Sequence, residues 1–98
     1  ESPHMLIACK VKKEKREIIP AVVHVDGSCR VQTVGPENNI HFYHLLLAFH
    51  EITSIPVLLN TSFNVKGQPI VQTPKQAIET FISTKIDCIV IGNYIAIK

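Results

Sequence analysis

Residues 58–71 constrain the fold of this chain more than any other stretch. The apolar run Pro56–Leu59 predicts a buried strand, and it is followed at once by Asn, Thr, Ser and Asn side chains, a Gly, and a second apolar pair. Hydroxyls, amides and backbone N–H groups gathered at a strand end suit an anionic ligand such as phosphate. The alternative is a polar hairpin whose Asn and Ser side chains bond only to their own backbone. Both interpretations stay open at this point.

Composition indicates a globular chain. Of the 98 residues, 46% are hydrophobic, and no low-complexity tract or repeat is visible. We therefore expect residues 1–98 to form one domain with a modest core. The net charge of +2 is too small to indicate a nucleic-acid partner, and no apolar run is long enough to cross a membrane. Because the chain starts at Glu1 without an initiator Met, we expect a piece of something longer.

The three cysteines predict thiols rather than a disulfide framework. Cys9, Cys29 and Cys88 are odd in number, far apart, and each lies in an apolar segment. This favours reduced, buried thiols in a cytoplasmic protein. The cation of Arg30 could lower the pKa of Cys29, whereas the inward side of an alternating strand favours a small hydrophobe there.

The strands are predicted from apolar runs and period-two alternation. From Ser28 onward, Arg30 and Gln32 should share one face of a strand, after a turn at Asp26-Gly27. The other strands are predicted at Met5 to Cys9, Pro56 to Leu59, Gln68 to Val71, Cys88 to Ile91 (a central strand) and Tyr94 to Ile97.

Two helices are predicted. Asn38 or Asn39 can cap a helix from about Ile40 to Thr53, whose apolar circumference should be largely covered. Thr73 and Gln76 match a capping box that starts the second helix. These elements give an α/β or α+β domain in which the charged segment from Lys10 to Glu17 is a solvated connector.

Candidate chemistry centres on anion binding. His41 and His44 are three residues apart on a helix, but they lack acidic or further ligands, so we assign no metal. There is no nucleotide-binding glycine motif, so a phosphate site must use the Asn60–Gly67 turn with Arg30 or Lys66. An unpaired surface arginine is the alternative for Arg30.

Two ordered blocks carry a family resemblance. They are HVDG-x-x-RVQTV over residues 24–34 and LNTSFN-x-x-G-x-PIV over residues 59–71, and Thr73-Pro74 opens the next helix. The chain resembles the C-terminal region of the nodulation-type O-carbamoyltransferases. That resemblance implies a YrdC-like fold with a twisted mixed β-sheet.

The resemblance also implies a reaction. ATP and carbamoyl phosphate would yield carbamoyl-adenylate, from which the carbamoyl group passes to a hydroxyl acceptor. An N-terminal part, absent here, would hold the metal and the acceptor. The resemblance assigns Arg30 as the catalytic clamp on phosphate or carbamoyl. It assigns the nucleotide-binding role to Ser62 and Asn64, and then to Asn60, Thr61, Lys66 and His24.

Two departures limit these expectations. Gln68 stands where many relatives carry Glu, and an upstream Gly-x-Arg-Ala-Leu-Gly segment is missing. We therefore expect an enzyme only as part of a full-length carbamoyltransferase, with the isolated chain inactive. The alternative is a non-catalytic nucleotide-binding or protein-interaction module, whose exposed apolar surface would lead it to self-associate.

Overall fold

The computed structural model describes residues 2–98, which divide into two compact units. The first unit ends at Asn60 and the second is Thr61–Lys98. The first contains β1 (Ile7–Lys10), α1 (Lys13–Arg16), a 3-10 turn (Pro20–Val22), β2 (Ser28–Val31) and α2 (Ile40–Thr53). The second contains α3 (Pro74–Ser83), β3 (Cys88–Ile91) and β4 (Tyr94–Ile97). The predicted α+β class is confirmed.

An antiparallel pair, β1 with β2, organises the first unit. Its register places Ile7 opposite Val31 and Lys10 opposite Ser28. Successive side chains alternate between the two faces, so Arg30 is exposed while its neighbours on β2 are half-buried. The N-terminal segment contacts the chain just after β2, because Thr33 N–H donates to the Ser2 carbonyl at 2.9 Å.

Helix α2 has the bounds that its sequence predicts. The Asn39 side chain accepts a hydrogen bond from Phe42 N–H at 3.1 Å, and Ser54 ends the helix in the left-handed conformation at φ 62°. The expectation that this helix is covered is wrong. None of its residues is buried, and Ile52 is 84% exposed. Nothing within residues 2–98 packs over that side of the helix.

The predicted strand at Pro56–Leu59 is wrong. This segment belongs to no ladder, and Leu59 is 61% exposed. An apolar run becomes a strand only where a neighbour offers hydrogen-bond partners, and Pro56 has no N–H to give. The segment Gln68–Val71 likewise forms no strand. Its backbone donates from Gln68 N–H to the Val65 carbonyl and from Val71 N–H to the Phe63 carbonyl, each at 2.9 Å.

The sheets differ from the expected single mixed sheet. Within the described part of the chain there are two separate two-stranded antiparallel sheets, β1-β2 and β3-β4. Strand β3 therefore pairs with β4 alone and is not a central strand. Two-stranded sheets leave much of their surface open, and Cys9 and Cys88 are consequently exposed while Cys29 is half-buried. The prediction of buried thiols is wrong for this reason.

The second unit packs α3 on β3 around Phe81. This side chain is 6% exposed, and the Lys98 ammonium lies 4.6 Å from the centre of its ring. The capping residues at the start of α3 are confirmed. Thr73 Oγ1 accepts from Gln76 N–H at 3.1 Å, and Gln76 Oε1 accepts from Gln72 N–H at 3.0 Å.

No helix among residues 2–98 has both the length and the apolar character needed to cross a membrane.

Replacing Thr73 tests whether the cap holds α3. Thr73→Ala removes the acceptor for Gln76 N–H, which should destabilise the helix by about 1 kcal/mol. Hydrogen–deuterium exchange of the α3 amides should become faster by the factor that this loss of free energy implies. Thr73→Ser keeps the hydroxyl and is the matched control. Equal exchange in the Ala and Ser variants would show that the cap contributes nothing.

Candidate functional site

The first unit contains a cavity of about 850 Å³. This volume lies within the range of about 300–1,000 Å³ that small-molecule sites occupy. Apolar side chains form most of its wall, with Val22 and Val23 from the 3-10 turn region, and Leu46 from α2. The extended segment at Val57–Leu59 supplies another part of the wall. The cavity therefore offers an apolar surface of the kind that a nucleobase or other flat ring could contact.

The charged groups around this cavity are all basic. Its lining includes no Asp or Glu side chain among the described residues. Such a distribution attracts an anion, because positive groups beside low-dielectric walls act on it with little screening. The basic lining residues are Lys10, Lys12, Lys15 and Arg30, together with the imidazoles of His24 and His50.

Arg30 has an uncommitted guanidinium. It stands on β2 directly opposite Ala8, and its side chain is exposed. Among residues 2–98 no hydrogen bond or ion pair engages its side chain, in contrast to Arg16, whose Nε donates to the Val11 carbonyl at 3.1 Å. The small side chain of Ala8 leaves room beside Arg30. Its five N–H donors are available for bidentate contact with phosphate or carboxylate oxygens.

The turn before β2 positions His24. His24 N–H donates to the Ser28 carbonyl at 2.7 Å, and its own carbonyl accepts from Gly27 N–H at 2.9 Å. Gly27 has φ +83°, and a Cβ there would lie 2.5 Å from Arg16 Cζ, so the turn requires glycine. These backbone bonds hold His24 at the wall of the cavity.

Asp26 stabilises the same turn. The Ser28 hydroxyl donates to Asp26 Oδ1 at 2.6 Å and the Ser28 N–H donates to it at 2.9 Å. These bonds, with the hydroxyl contributing most, hold the pKa of Asp26 below its usual value. A lowered carboxyl pKa means that this stabilisation is present above the ordinary Asp pKa and is lost as the pH falls through the folded-state value.

Asn60 connects the polar loop to the β2 strand. Its Nδ2 donates to Gln32 Oε1 at 2.7 Å, and Gln32 Nε2 donates to the Pro3 carbonyl at 3.1 Å. Asn60 also lines the cavity, as Arg30 and His24 do. Three of the predicted site residues are brought to one cavity.

Sequence reasoning missed several polar residues that line this cavity. Gln32 is predicted on the Arg30 face but has no predicted role, and neither its contact with Asn60 nor the position of His50 is foreseen. Lys10, Lys12 and Lys15 are predicted in a solvated connector, yet all three line the cavity. The signal that could have found these lysines is their position at the end of β1 or between β1 and the Asp26-Gly27 turn, because a segment that joins paired strands stays close to both.

The remaining predicted site residues belong to the second unit. Thr61 and Ser62 are exposed, and no hydrogen bond engages their side chains within the described range of residues. Lys66 lies in a turn in which Gln68 N–H donates to the Val65 carbonyl at 2.9 Å and Gly67 adopts φ +83°. A positive φ at the third turn position is typical of a type II turn.

The Asn64 side chain forms hydrogen bonds with the backbone of this turn. Its Nδ2 donates to the Gln68 carbonyl at 3.0 Å and to the Val65 carbonyl at 3.3 Å. The side-chain donor is therefore used locally, as the hairpin interpretation expects. Of the Asn64 side chain, only the amide oxygen therefore remains for a ligand in this conformation.

Substitution of Asn64 tests this local role. Asn64→Asp and Asn64→Ala both lose the amide donor, so each should loosen the turn by about 1 kcal/mol. Exchange of the Gln68 amide, measured by NMR, should become about fivefold faster in both variants. Asn64→Gln keeps an amide donor on a longer stem and serves as the comparison. Unchanged exchange in the Asp variant would contradict the structural role.

Comparison with known proteins identifies relatives across the whole chain. A family model described as the carbamoyltransferase C-terminus matches residues 1–98. Nodulation protein NolO of Bradyrhizobium diazoefficiens is 41% identical over 98% of the chain, which is 18% of that protein. Nodulation protein NolNO of Sinorhizobium fredii is 41% identical over 100% of the chain and 14% of its own length.

A relative outside the nodulation proteins is also similar. An uncharacterised protein of Methanocaldococcus jannaschii is 44% identical over 94% of the chain, corresponding to 15% of that protein. The chain thus spans less than a fifth of the length of each of these three relatives. The resemblance drawn from the two sequence blocks is confirmed.

Proposed function

The chain belongs to the carbamoyltransferase C-terminus family, and from this premise we propose that it supplies part of an anion-binding site for ATP and carbamoyl phosphate. In that reaction ATP, carbamoyl phosphate and water form carbamoyl-adenylate and release pyrophosphate and inorganic phosphate. The carbamoyl group is then transferred to a hydroxyl acceptor, and AMP leaves. One observation carries the proposal. The cavity beside β2 combines apolar walls with four Lys or Arg side chains, and no carboxylate of residues 2–98 lines it. That chemistry suits a phosphorylated ligand with an apolar ring.

In this proposal Arg30 binds the charged reactant. Forming an acyl-adenylate brings an attacking oxyanion close to phosphate oxygens, and mutual repulsion raises the barrier. A preorganised guanidinium beside the reacting groups lowers that cost, because it holds its positive charge in place before the reaction begins. Pairing with β1 fixes the backbone position of Arg30, and its side-chain donors are not used by other groups of the described chain, so the guanidinium is available to bind the charged reactant.

The other predicted residues assist in binding. Asn60 and His24 line the cavity next to Arg30 and contribute polar contacts to the ligand. In the second unit, Thr61, Ser62, Asn64 and Lys66 are proposed to bind nucleotide phosphate through hydroxyl, backbone N–H and ammonium donors. The three cavity lysines raise the local concentration of the anionic substrates.

The rest of a full-length protein is the proposed partner. It supplies the metal and the acceptor site, so the 98-residue chain alone is inactive in this proposal. Its working compartment is the cytoplasm. The chain's short span relative to its relatives supports a division of labour of this kind.

Removing the Arg30 side chain tests the proposed site. In the full-length protein that contains this chain, Arg30→Ala should slow carbamoyl-adenylate formation by about two to three orders of magnitude, because a preorganised donor to the developing charge is lost. The measurement is pyrophosphate release from ATP in the presence of carbamoyl phosphate. Arg30→Lys keeps the charge but not the bidentate geometry, so its activity should lie between that of the unmodified protein and that of Arg30→Ala.

The control is Lys13→Ala. Lys13 is an exposed cation on α1 that does not line the cavity, so its loss changes the net charge equally without altering the site. Its activity should equal that of the unmodified protein. Full activity in Arg30→Ala, or equal losses in both variants, would refute the role of Arg30.

A second candidate function is a non-catalytic module that interacts through its apolar surface. The observation that favours it is the extent of that surface: Ile52 is 84% exposed, and Ile97 is 73% exposed. Large exposed apolar patches favour association.

Sedimentation velocity separates the two functions. As an interaction module, the 98-residue chain should self-associate as its concentration rises, and ATP should not change its sedimentation. A compact monomer that binds ATP in parallel calorimetry would count against the interaction module.

A further inference from the structure

Two cysteines of the first unit stand directly opposite each other. In the β1-β2 pair the register places Cys9 across from Cys29. Side chains of opposed residues project from the same face of the sheet, and their Cα atoms are about 4.5–5.5 Å apart in antiparallel pairs. Disulfides span Cα separations of about 4.4–6.8 Å, so this register meets the first geometric requirement for one. Both cysteines are free thiols.

The two thiols differ in accessibility. Cys9 is exposed, whereas Cys29 is half-buried. Burial raises the pKa of the Cys29 thiol, and hydrogen bonding with the Cys9 thiol raises it further. The strand register places the two side chains opposite each other on one face of the sheet, which brings their sulfur atoms close together. Because Cys9 is the more exposed thiol, it meets a reagent from solution first, and Cys29 is the neighbouring thiol that can then react at Cys9.

We propose that Cys9 and Cys29 form a redox modification site that reacts with low-molecular-weight disulfides such as glutathione disulfide. The Cys9 thiolate attacks one sulfur of the reagent, which forms a mixed disulfide and releases one thiol. Cys29 loses its proton and attacks the Cys9 sulfur, which forms the Cys9–Cys29 bond and releases the second thiol. The two cysteines lose two electrons and two protons, and the reagent gains them as two thiols.

The Cys9–Cys29 disulfide would constrain a segment that forms part of the cavity wall. It closes a loop over residues 10–28, which includes Lys10, Lys12 and Lys15 from the cavity wall. It also lies one residue before Arg30. When the β1-β2 pair opens, the cross-link restricts the conformations that this segment can adopt. Oxidation therefore makes opening of the pair less favourable. This inference rests on the strand register and does not depend on the proposed reaction.

Peptide mapping by mass spectrometry tests the site. The full-length protein is treated in the folded state with excess glutathione disulfide and then digested without reduction. The expected product is a linked Cys9–Cys29 peptide that dithiothreitol separates. Because the register already brings the sulfurs together, the link should form at least about tenfold faster than in the same protein unfolded in urea.

Serine variants assign the two roles. Cys29→Ser should stop at a glutathione adduct on Cys9, and Cys9→Ser should leave Cys29 largely unmodified. Cys88→Ser is the matched control, because Cys88 lies on β3 in the other unit, and it should form the Cys9–Cys29 link at the normal rate. The unmodified protein ending as a stable glutathione adduct, or linking no faster when folded than in urea, would overturn the proposal.

Discussion

The antiparallel ladder between β1 and β2 is the interaction on which the first unit depends. Its register decides which side chains of β2 are exposed, because a shift of one residue would exchange the two faces. Arg30 is exposed for this reason, and Cys29 faces Cys9 for the same reason. The ladder also holds the ends of the segment that carries the three lysines, so the basic character of the cavity follows from a few backbone hydrogen bonds.

The cavity gains its character from the combination of two kinds of surface. Apolar side chains alone would bind many ligands with little discrimination, and cations alone would stay hydrated in open solvent. Placed side by side, the apolar walls exclude part of the water and the cations act on an anion with less screening. The absence of carboxylates from the lining of the described cavity means that the Arg30 guanidinium has no internal partner to displace. The proposed reaction gives this arrangement a chemical context, since both of its proposed substrates, ATP and carbamoyl phosphate, are phosphorylated.

Errors in the interpretation of the sequence share one cause. The covered α2 helix, the strand at Pro56–Leu59 and the buried thiols were all predicted from apolar character. Apolar character states what a segment would gain from burial, but burial needs a second surface, and in residues 2–98 only Phe81 among the hydrophobic side chains is fully buried. The same limit explains why Lys12 and Lys15 were assigned to a connector. The charges of these two lysines indicated correctly that they are exposed. Charge alone did not indicate that they line a cavity.

The sequence by itself determined the local features of this protein. The bounds of α2, the caps at Asn39 and Thr73, the turn at Asp26-Gly27 and the family blocks were all predictable, because each depends on groups a few residues apart. Only the tertiary structure decided that Asn60 meets Gln32, that Arg30 shares a cavity with His24, and that Cys9 faces Cys29. The Asn60–Gln32 and Cys9–Cys29 contacts join residues twenty or more positions apart. All three arrangements depend on strand register and on the surfaces available for packing, which no short-range pattern encodes.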